Sequence, residues 1–201
     1  MIAQGRYTDA YLLNRRSNVF PAILGRVCDR PCEPACRRRR VEEEPVAICR
    51  LKRVAADLAD DIRPYLPAVP AKKNGKRIAC IGAGCASLTV ANNLLPLGYE
   101  IVMFEQFDQA GGLMRTNIPA FRLPGPVLDD EIAMIVELGV DLRLGHRIDS
   151  MADLLGENFD AVFVGTGAPR GKELDLPGRR ETDRIHIGID WLESVAFEHT
   201  D

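Results

Sequence analysis

The amino-acid sequence predicts an α/β fold in which a parallel sheet follows a small helical, cysteine-containing segment. From Arg77 onward, short apolar strands alternate with helical stretches, which is typical of a doubly wound parallel sheet. Residues 1–66 contain helical and loop patterns instead. Prolines at positions 64, 67 and 70, followed by AKKNGK, end the last of these helices and form a linker. We therefore expect a helical domain over residues 1–70 and an α/β domain over residues 71–201.

The composition narrows the possible classes of function. A formal net charge of −3 argues against general nucleic-acid binding, although arginines occupy positions 37–40. Glutamates at 42–44 follow, so this run is either a solvated turn or a patch that docks a partner. The sequence lacks both the apolar core of a signal peptide and the run of about 18 apolar residues that a membrane span needs. Six cysteines without a secretion signal predict a cytoplasmic protein that uses them for metal or redox chemistry.

Two helices are predicted in the first domain. Residues 7–15 form an amphipathic stretch. A second helix begins at about Val46, where apolar residues recur at helical spacing. We expect this helix to bury one continuous face, formed by Leu51, Val54, Ala55, Leu58 and Ile62.

Between these helices, the segment CDRPCEPAC sets cysteines at a four-residue interval. The interval matches a helical face, but Pro31 and Pro34 lack the N–H groups that a helix interior needs, so the segment is predicted to be a loop. Thiols held together in one loop beside Arg26 and Arg30 suggest metal or iron–sulfur ligation rather than packing. That interpretation requires a fourth ligand in addition to Cys28, Cys32 and Cys36.

The second domain reads as strands alternating with helices. RIACIGAG, from Arg77, is a strand that runs into glycines, CASLTVANNLL is helical, and YEIVMFE is a second strand. A glycine-rich loop, a helix from about Val127 to Leu138, a strand near DLRL and the apolar run DAVFVGTGA complete the pattern.

The turn GAGCAS follows the first strand and opens a helix, as a dinucleotide-binding fingerprint requires. Gly82 makes the tight turn, and Gly84 lets the backbone approach a diphosphate at the N-terminus of the next helix. Ser87 replaces the third glycine of the fingerprint but is still small. Glu105 closes the second strand, where an acidic side chain accepts hydrogen bonds from a ribose. A carboxylate there repels a 2′-phosphate and favours FAD or NAD over NADP.

A second glycine loop decides between these dinucleotides. Residues 111–113 read GGL and residues 118–124 read IPAFRLP. An NAD-binding domain does not require this second glycine loop. These two segments resemble those of a known family. The same resemblance is carried by GRVCDRPCEPAC, EPVAICRLKR, IGAGCAS, FE at 104–105, ELGV and DAVFVGTGAP. This family comprises the small subunit of bacterial glutamate synthase, the N-terminal part of dihydropyrimidine dehydrogenase and related FAD- and iron–sulfur-containing electron-transfer subunits. The resemblance extends from about residue 5 to residue 197.

This resemblance implies a flavoprotein with a Rossmann-like FAD-binding domain over residues 71–201. The turn at 165–169 corresponds to the strand end that passes near the flavin, and Arg122 would pair with the dinucleotide. The residues implied to bind FAD are Gly82, Gly84, Cys85, Ala86, Ser87, Glu105, Gly112, Leu113, Arg122 and Ile148. No side chain is a convincing acid, base or nucleophile, because His146, His186 and His199 are scattered along the chain.

For the helical domain the resemblance implies a [4Fe-4S] cluster. The loop cysteines correspond to the downstream cysteine group of the family, whereas the upstream group has no counterpart in this sequence. The nearest remaining thiol is Cys49, which gives the candidate metal ligands Cys28, Cys32, Cys36 and Cys49. Zinc, a cluster shared with another chain, and an empty loop remain open. Cys80 lies on the first strand and is predicted to be a buried structural thiol.

Residues 171–201 contain no further glycine fingerprint, so we expect the NAD(P)H-binding domain of the family to be absent from this sequence. The chain is then an electron-transfer module that works between a nicotinamide pool and a partner redox subunit and is inactive alone. The alternative from a different class is a docking or scaffold subunit without enzymatic activity, whose cysteine loop binds zinc or is empty.

Overall fold

The computed structural model describes residues 1–173, 175–179 and 181–197. His199 lies outside these residues. Within them the sheet has four strands in the order β3-β2-β1-β4, all parallel, which confirms the predicted α/β fold. In the central strand, Ile78 pairs with Ile101 on one side and with Ala161 on the other. The strands are β1 Arg77–Ile81, β2 Glu100–Phe104, β3 Asp141–Arg143 and β4 Ala161–Val164.

Helices precede the sheet and connect its strands. The first domain contains α1 Tyr7–Arg15, α2 Pro21–Val27 and α3 Ile48–Asp57. The second contains α4 Cys85–Leu94, α5 Leu113–Thr116, α6 Gly125–Val136, α7 Met151–Gly156 and α8 Gly188–Ala196. Short 3₁₀ helices span Ile2–Gln4, Arg37–Arg40, Arg63–Tyr65 and Leu95–Leu97. Helix α6 begins before the predicted Val127, because Pro126 is tolerated in a first helical turn. None of the described helices is long and apolar enough to cross a membrane.

The two central strands are apolar and buried after their first residues, Arg77 and Glu100, because helices cover both of their faces. On one face, Met103 and Cys80 pack with residues of α4 and α6. Burial raises the pKa of the Cys80 thiol to about 11, as expected for a structural cysteine. On the other face, Val102 and Phe104 pack with Leu154 of α7. The carboxyl ends of the strands are left free for a binding site.

The helical segment shares the core of the sheet. Phe20 and Ile23, at the start of α2, belong to the same apolar cluster as Met103. A buried carboxylate reinforces this junction: Glu131 of α6 accepts hydrogen bonds from the Tyr11 hydroxyl at 2.7 Å and from the backbone N–H groups of Ala22 and Ile23 at 2.8 and 3.1 Å. Helix α2 has no side-chain cap of its own, so Glu131 caps it from the other domain.

The predicted apolar face of the second helix is only partly correct. Ala55 is buried, but Leu51, Val54 and Leu58 remain 38%, 37% and 55% exposed. The reason is a close approach between α2 and α3: a Cβ atom at Gly25 would lie 2.7 Å from the backbone nitrogen of Arg53. Position 25 has no room for a side chain, so α2 meets the backbone of α3 there rather than its bulky apolar side chains. Ile62 is buried, but it lies beyond the end of the helix.

Candidate functional site

A cleft of about 1020 Å³ lies at the carboxyl ends of β1, β2 and β4. In parallel sheets this edge is where ligands bind. Eight of the ten residues implied to bind FAD line the cleft. They are Gly82, Gly84, Cys85, Ala86, Glu105, Gly112, Leu113 and Ile148.

The first wall of the cleft is the glycine turn after β1. The N–H of Gly82 donates to the carbonyl of Phe104 at 2.7 Å, which ties the turn to β2. Gly82 has φ 88°, and a Cβ atom there would lie 2.6 Å from the carbonyl oxygen of Gly165. Glycine is therefore required at this position by both conformation and space.

A second pair of glycines brings two loops together at the bottom of the cleft. Gly112 has φ 53°, and a Cβ atom there would lie 3.0 Å from the Cα atom of Gly84. A Cβ atom at Gly84 would have only the Gly112 Cα atom within 4 Å, at 3.9 Å, so Gly84 borders open space. Helix α4 starts at the next residue without a side-chain cap. Its first N–H groups and its dipole suit a diphosphate, and this part of the cleft fits a dinucleotide.

Glu105 is 5% exposed at the end of β2. Its Oε2 atom accepts a hydrogen bond from the N–H of Ala83 at 2.7 Å, and its Oε1 atom accepts one from Phe107 at 3.1 Å. The carboxylate thus fixes the glycine turn and the loop after β2. Each carboxylate oxygen can accept a second hydrogen bond, so the arrangement leaves capacity for a ribose.

Ser87 is fully buried and does not line the cleft. Its hydroxyl has no hydrogen-bond partner among the described residues, and a Cβ atom at Gly165 would collide with it. Ser87 therefore takes the packing role of the third glycine of the fingerprint, between α4 and the end of β4. Its side chain is not in a position to contact a ligand in the cleft.

Arg122 lies outside the cleft lining, in contrast to the implied role in dinucleotide binding. A turn at Pro119, whose carbonyl accepts from the Arg122 N–H at 2.9 Å, directs this exposed residue away. Its Nη2 atom donates to the carbonyl of Val27 at 3.1 Å, one residue before Cys28. Arg122 thus connects the α/β domain to the cysteine loop.

Several residues of the cleft were not predicted from sequence motifs. Phe107 and His146 follow β2 and β3, and Glu193 belongs to α8. The backbone N–H of His146 donates to the carbonyl of Glu105 at 2.7 Å. Phe107 and His146 could have been predicted because each follows the carboxyl end of a parallel strand, where ligands bind. No feature of the sequence indicates that α8 lies beside the cleft.

The cysteine loop has no regular helix over residues 28–36, as the prolines predict. Cys28 and Cys36 are partly buried and Cys32 is exposed. The Cys28 sulfur accepts from the N–H of Arg30 at 3.4 Å. Backbone N–H groups, first that of Val46, lower the pKa of the Cys36 thiol.

Cys49 is buried against the C-terminal end of α2. Its thiol donates to the carbonyl oxygens of Gly25 at 3.2 Å and Leu24 at 3.6 Å, and burial raises its pKa. Among the described residues, no group of three or more histidine, cysteine or carboxylate side chains is arranged to hold a metal ion. The role of the four predicted cysteines as a ligand set stays a prediction.

The fold and the cleft define a Rossmann-like dinucleotide-binding module joined to a helical cysteine-containing segment. A family model matches this segment. Residues 1–63 match the family described as dihydropyrimidine dehydrogenase domain II, 4Fe-4S cluster. The match covers the three helices of the first domain and the cysteine loop.

Curated relatives match nearly the whole chain. The glutamate synthase (NADPH) small chain of Bacillus subtilis is 32% identical over 100% of this chain and 41% of its own length. The NADP(+)-dependent formate dehydrogenase subunit beta of Moorella thermoacetica is 36% identical over 90% of this chain and 29% of its own length. The NAD-dependent dihydropyrimidine dehydrogenase subunit PreT of Salmonella typhimurium is 35% identical over 89% of this chain and 43% of its own length. The predicted resemblance is confirmed, and the chain spans less than half the length of these relatives.

Proposed function

We propose that this chain is an FAD-binding, iron–sulfur-type electron-transfer module of an NAD(P)H-dependent oxidoreductase. The observation that carries the proposal is the approach of Gly84 and Gly112 beside the uncapped start of α4. It provides a main-chain surface for a diphosphate in a cleft large enough for a dinucleotide. Relatives named as small chain or beta subunit of oxidoreductases support the same assignment.

In this proposal each part of the cleft has a distinct task. The first N–H groups of α4 bind the diphosphate, and Glu105 accepts from the adenosine ribose. Leu113 and Ile148 contact the dinucleotide, and residues 165–169 pass near the flavin. When bound, FAD would supply the chemistry, because a flavin exchanges a single hydride, and so two electrons, with nicotinamides and single electrons with clusters. The chain supplies binding and orientation, and no side chain of the cleft is assigned an acid or base role.

The proposal extends to partners and to the cell compartment. The subunit names of the relatives support a partner redox subunit for this chain. NAD(P)H would reach the flavin through a domain or chain beyond these 201 residues. We infer a cytoplasmic location from the cysteine usage. The FAD-binding domain would extend over residues 71–201.

For the iron–sulfur site, the loop cysteines Cys28, Cys32 and Cys36 would be ligands. The fourth ligand would be Cys49 or a thiol from another chain. Cys49 could serve only if its thiol gave up its hydrogen bonds to the carbonyls of α2, because a cluster ligand is a thiolate.

A second candidate is a docking subunit without enzymatic activity, in which the loop holds zinc or no metal. It is favoured by the exposed arginines at positions 37–40, which form a charged surface suited to docking a partner. Absorbance spectra and metal analysis of anaerobically purified protein separate the two candidates. A flavin spectrum with iron and acid-labile sulfide supports the electron-transfer module. Protein that neither contains nor takes up FAD would contradict the proposal, and zinc without iron would favour the second candidate.

A further inference from the structure

Helix α8 is held at both ends to segments that border the cleft. Near its start, the side-chain amide of Asn117 donates to the carbonyl oxygen of Ile189 at 2.8 Å. Just past its end, the ring of Phe197 lies 5.3 Å from the ring of Phe107. Asn117 follows α5 and Phe107 lines the cleft after β2, so α8 bridges the two sides.

Glu193 lies midway between these two anchors. Residues 189, 193 and 197 are four apart and share one face of the helix. Glu193 lines the cleft on this face, whereas Trp191 and Val195 remain 49% and 43% exposed. Ile189 and Phe197, which are partly buried on the same face, hold the helix in this orientation. It places the Glu193 carboxylate between them, at the cleft.

The carboxylate of Glu193 also lacks a donor within the described part of the chain. Among residues 1–173, 175–179 and 181–197, no side-chain hydrogen bond or ion pair reaches it. Its oxygens are not among the fully buried unpaired atoms, so they are free to accept from water or from a ligand in the cleft. Because Glu193 lines the same cleft as the glycine turn, a ligand bound there can supply this donor.

We propose that Glu193 is a ligand-binding residue of the cleft and accepts a hydrogen bond from a sugar or ribityl hydroxyl of the bound dinucleotide. This inference rests on the proposed function. A carboxylate repels phosphate groups, and the start of α4 is the part of the cleft suited to them. The remaining donors that a flavin dinucleotide offers in quantity are its hydroxyl groups. Glu193 also disfavours a cofactor that carries an additional phosphate at this point.

The test measures FAD affinity of the purified, deflavinated chain by titration. Trp191 is the only tryptophan of the sequence and lies two residues from Glu193, so its fluorescence reports flavin binding. Glu193→Ala should raise the Kd for FAD about tenfold, or about 1.4 kcal/mol. Glu193→Gln keeps an acceptor of the same shape but loses the charge, and should raise the Kd about threefold. Asp190→Asn removes the same charge from an exposed position of α8 and should leave the Kd unchanged.

Competition with ADP separates the two sources of the hydroxyl. If Glu193→Ala weakens ADP as much as FAD, the donor is the adenosine ribose. If ADP is unaffected, the donor belongs to the ribityl chain. Unchanged or tighter FAD binding by both Glu193 variants would overturn the inference and leave the proposed function standing. A wild-type chain that does not bind FAD would overturn both.

Discussion

Tyr11 of α1 donates a hydrogen bond of 2.7 Å to Glu131 of α6, across the junction between the helical segment and the α/β domain. Both side chains are buried. Burial and the adjacent carboxylate raise the pKa of Tyr11, so its phenol remains a neutral donor. The junction is thus held by a polar contact inside an apolar interface, and its strength can be measured.

Tyr11→Phe should lower the free energy of unfolding by about 1 kcal/mol, because it removes one buried hydrogen bond and leaves the shape of the side chain intact. Chemical denaturation of the wild type and the variant measures this difference. Tyr65 is 63% exposed, so Tyr65→Phe serves as the matched control and should change nothing. Equal effects of the two substitutions would show that the hydrogen bond to Glu131 does not stabilise the junction.

The same carboxylate should make stability depend on pH. Burial raises the pKa of Glu131 in the folded protein, so the folded state retains this proton to higher pH than the unfolded chain. The contribution of Glu131 to the free energy of unfolding is therefore largest below its unfolded pKa and decreases as the pH rises toward the folded pKa. Glu131→Gln cannot titrate and should flatten that part of the profile. Denaturation curves from pH 4 to pH 8 measure this, and a profile with the wild-type slope would contradict the assignment.

Gly84→Val should abolish or strongly weaken FAD binding while the fold persists. A Cβ atom fits at this position, but the two methyl groups would enter the space where a diphosphate approaches. Flavin content after purification and the Kd for added FAD are the measurements. Gly156→Val, at the end of α7 and in open space, is the control and should bind FAD normally. Undiminished flavin in the Gly84 variant would place the diphosphate elsewhere.

Cys32→Ser should remove iron together with acid-labile sulfide, because loss of one thiolate ligand commonly destroys a cluster. Iron and sulfide assays of anaerobically prepared protein give the result. Cys85→Ser changes a thiol outside the loop and should retain the iron. Cys49→Ser then identifies the fourth ligand: loss of iron favours Cys49, and retention favours a thiol from another chain. Bound zinc without iron or sulfide would contradict cluster formation.

The chain with FAD bound should not be reduced rapidly by NADH or NADPH. A hydride donor without its own binding site must find the flavin by diffusion, and positioning can account for roughly 7 to 11 kcal/mol of an effective barrier. Stopped-flow mixing that follows flavin bleaching tests each nucleotide in turn. Additional FAD should not increase the rate. Rapid and saturable reduction would reveal a nicotinamide site within these 201 residues.

The elements that the sequence predicts best are those whose local pattern decides their structure. Strand β1 and the turn at Gly82 follow from an apolar run that ends in glycines, and the structure contains both. The exposure of Leu51 could not be predicted, because it depends on how closely α2 approaches α3. The place of Arg122 likewise depends on a contact with Val27, which lies 95 positions earlier in the chain. Long-range contacts of this kind have no signature in a local window.

The glycine pairs 82 with 165 and 84 with 112 have a consequence for how this module tolerates change. In each pair the main-chain atoms of two segments lie close together. The lining of the cleft at these points is therefore formed by backbone rather than by side chains that could change rotamer. Saturation mutagenesis should therefore find that replacements of Gly82, Gly112 and Gly165 disturb the fold, whereas replacements of Gly84 affect ligand binding first. A binding surface formed by backbone can be retained while the surrounding sequence diverges. The same cleft can therefore serve complexes whose other subunits differ.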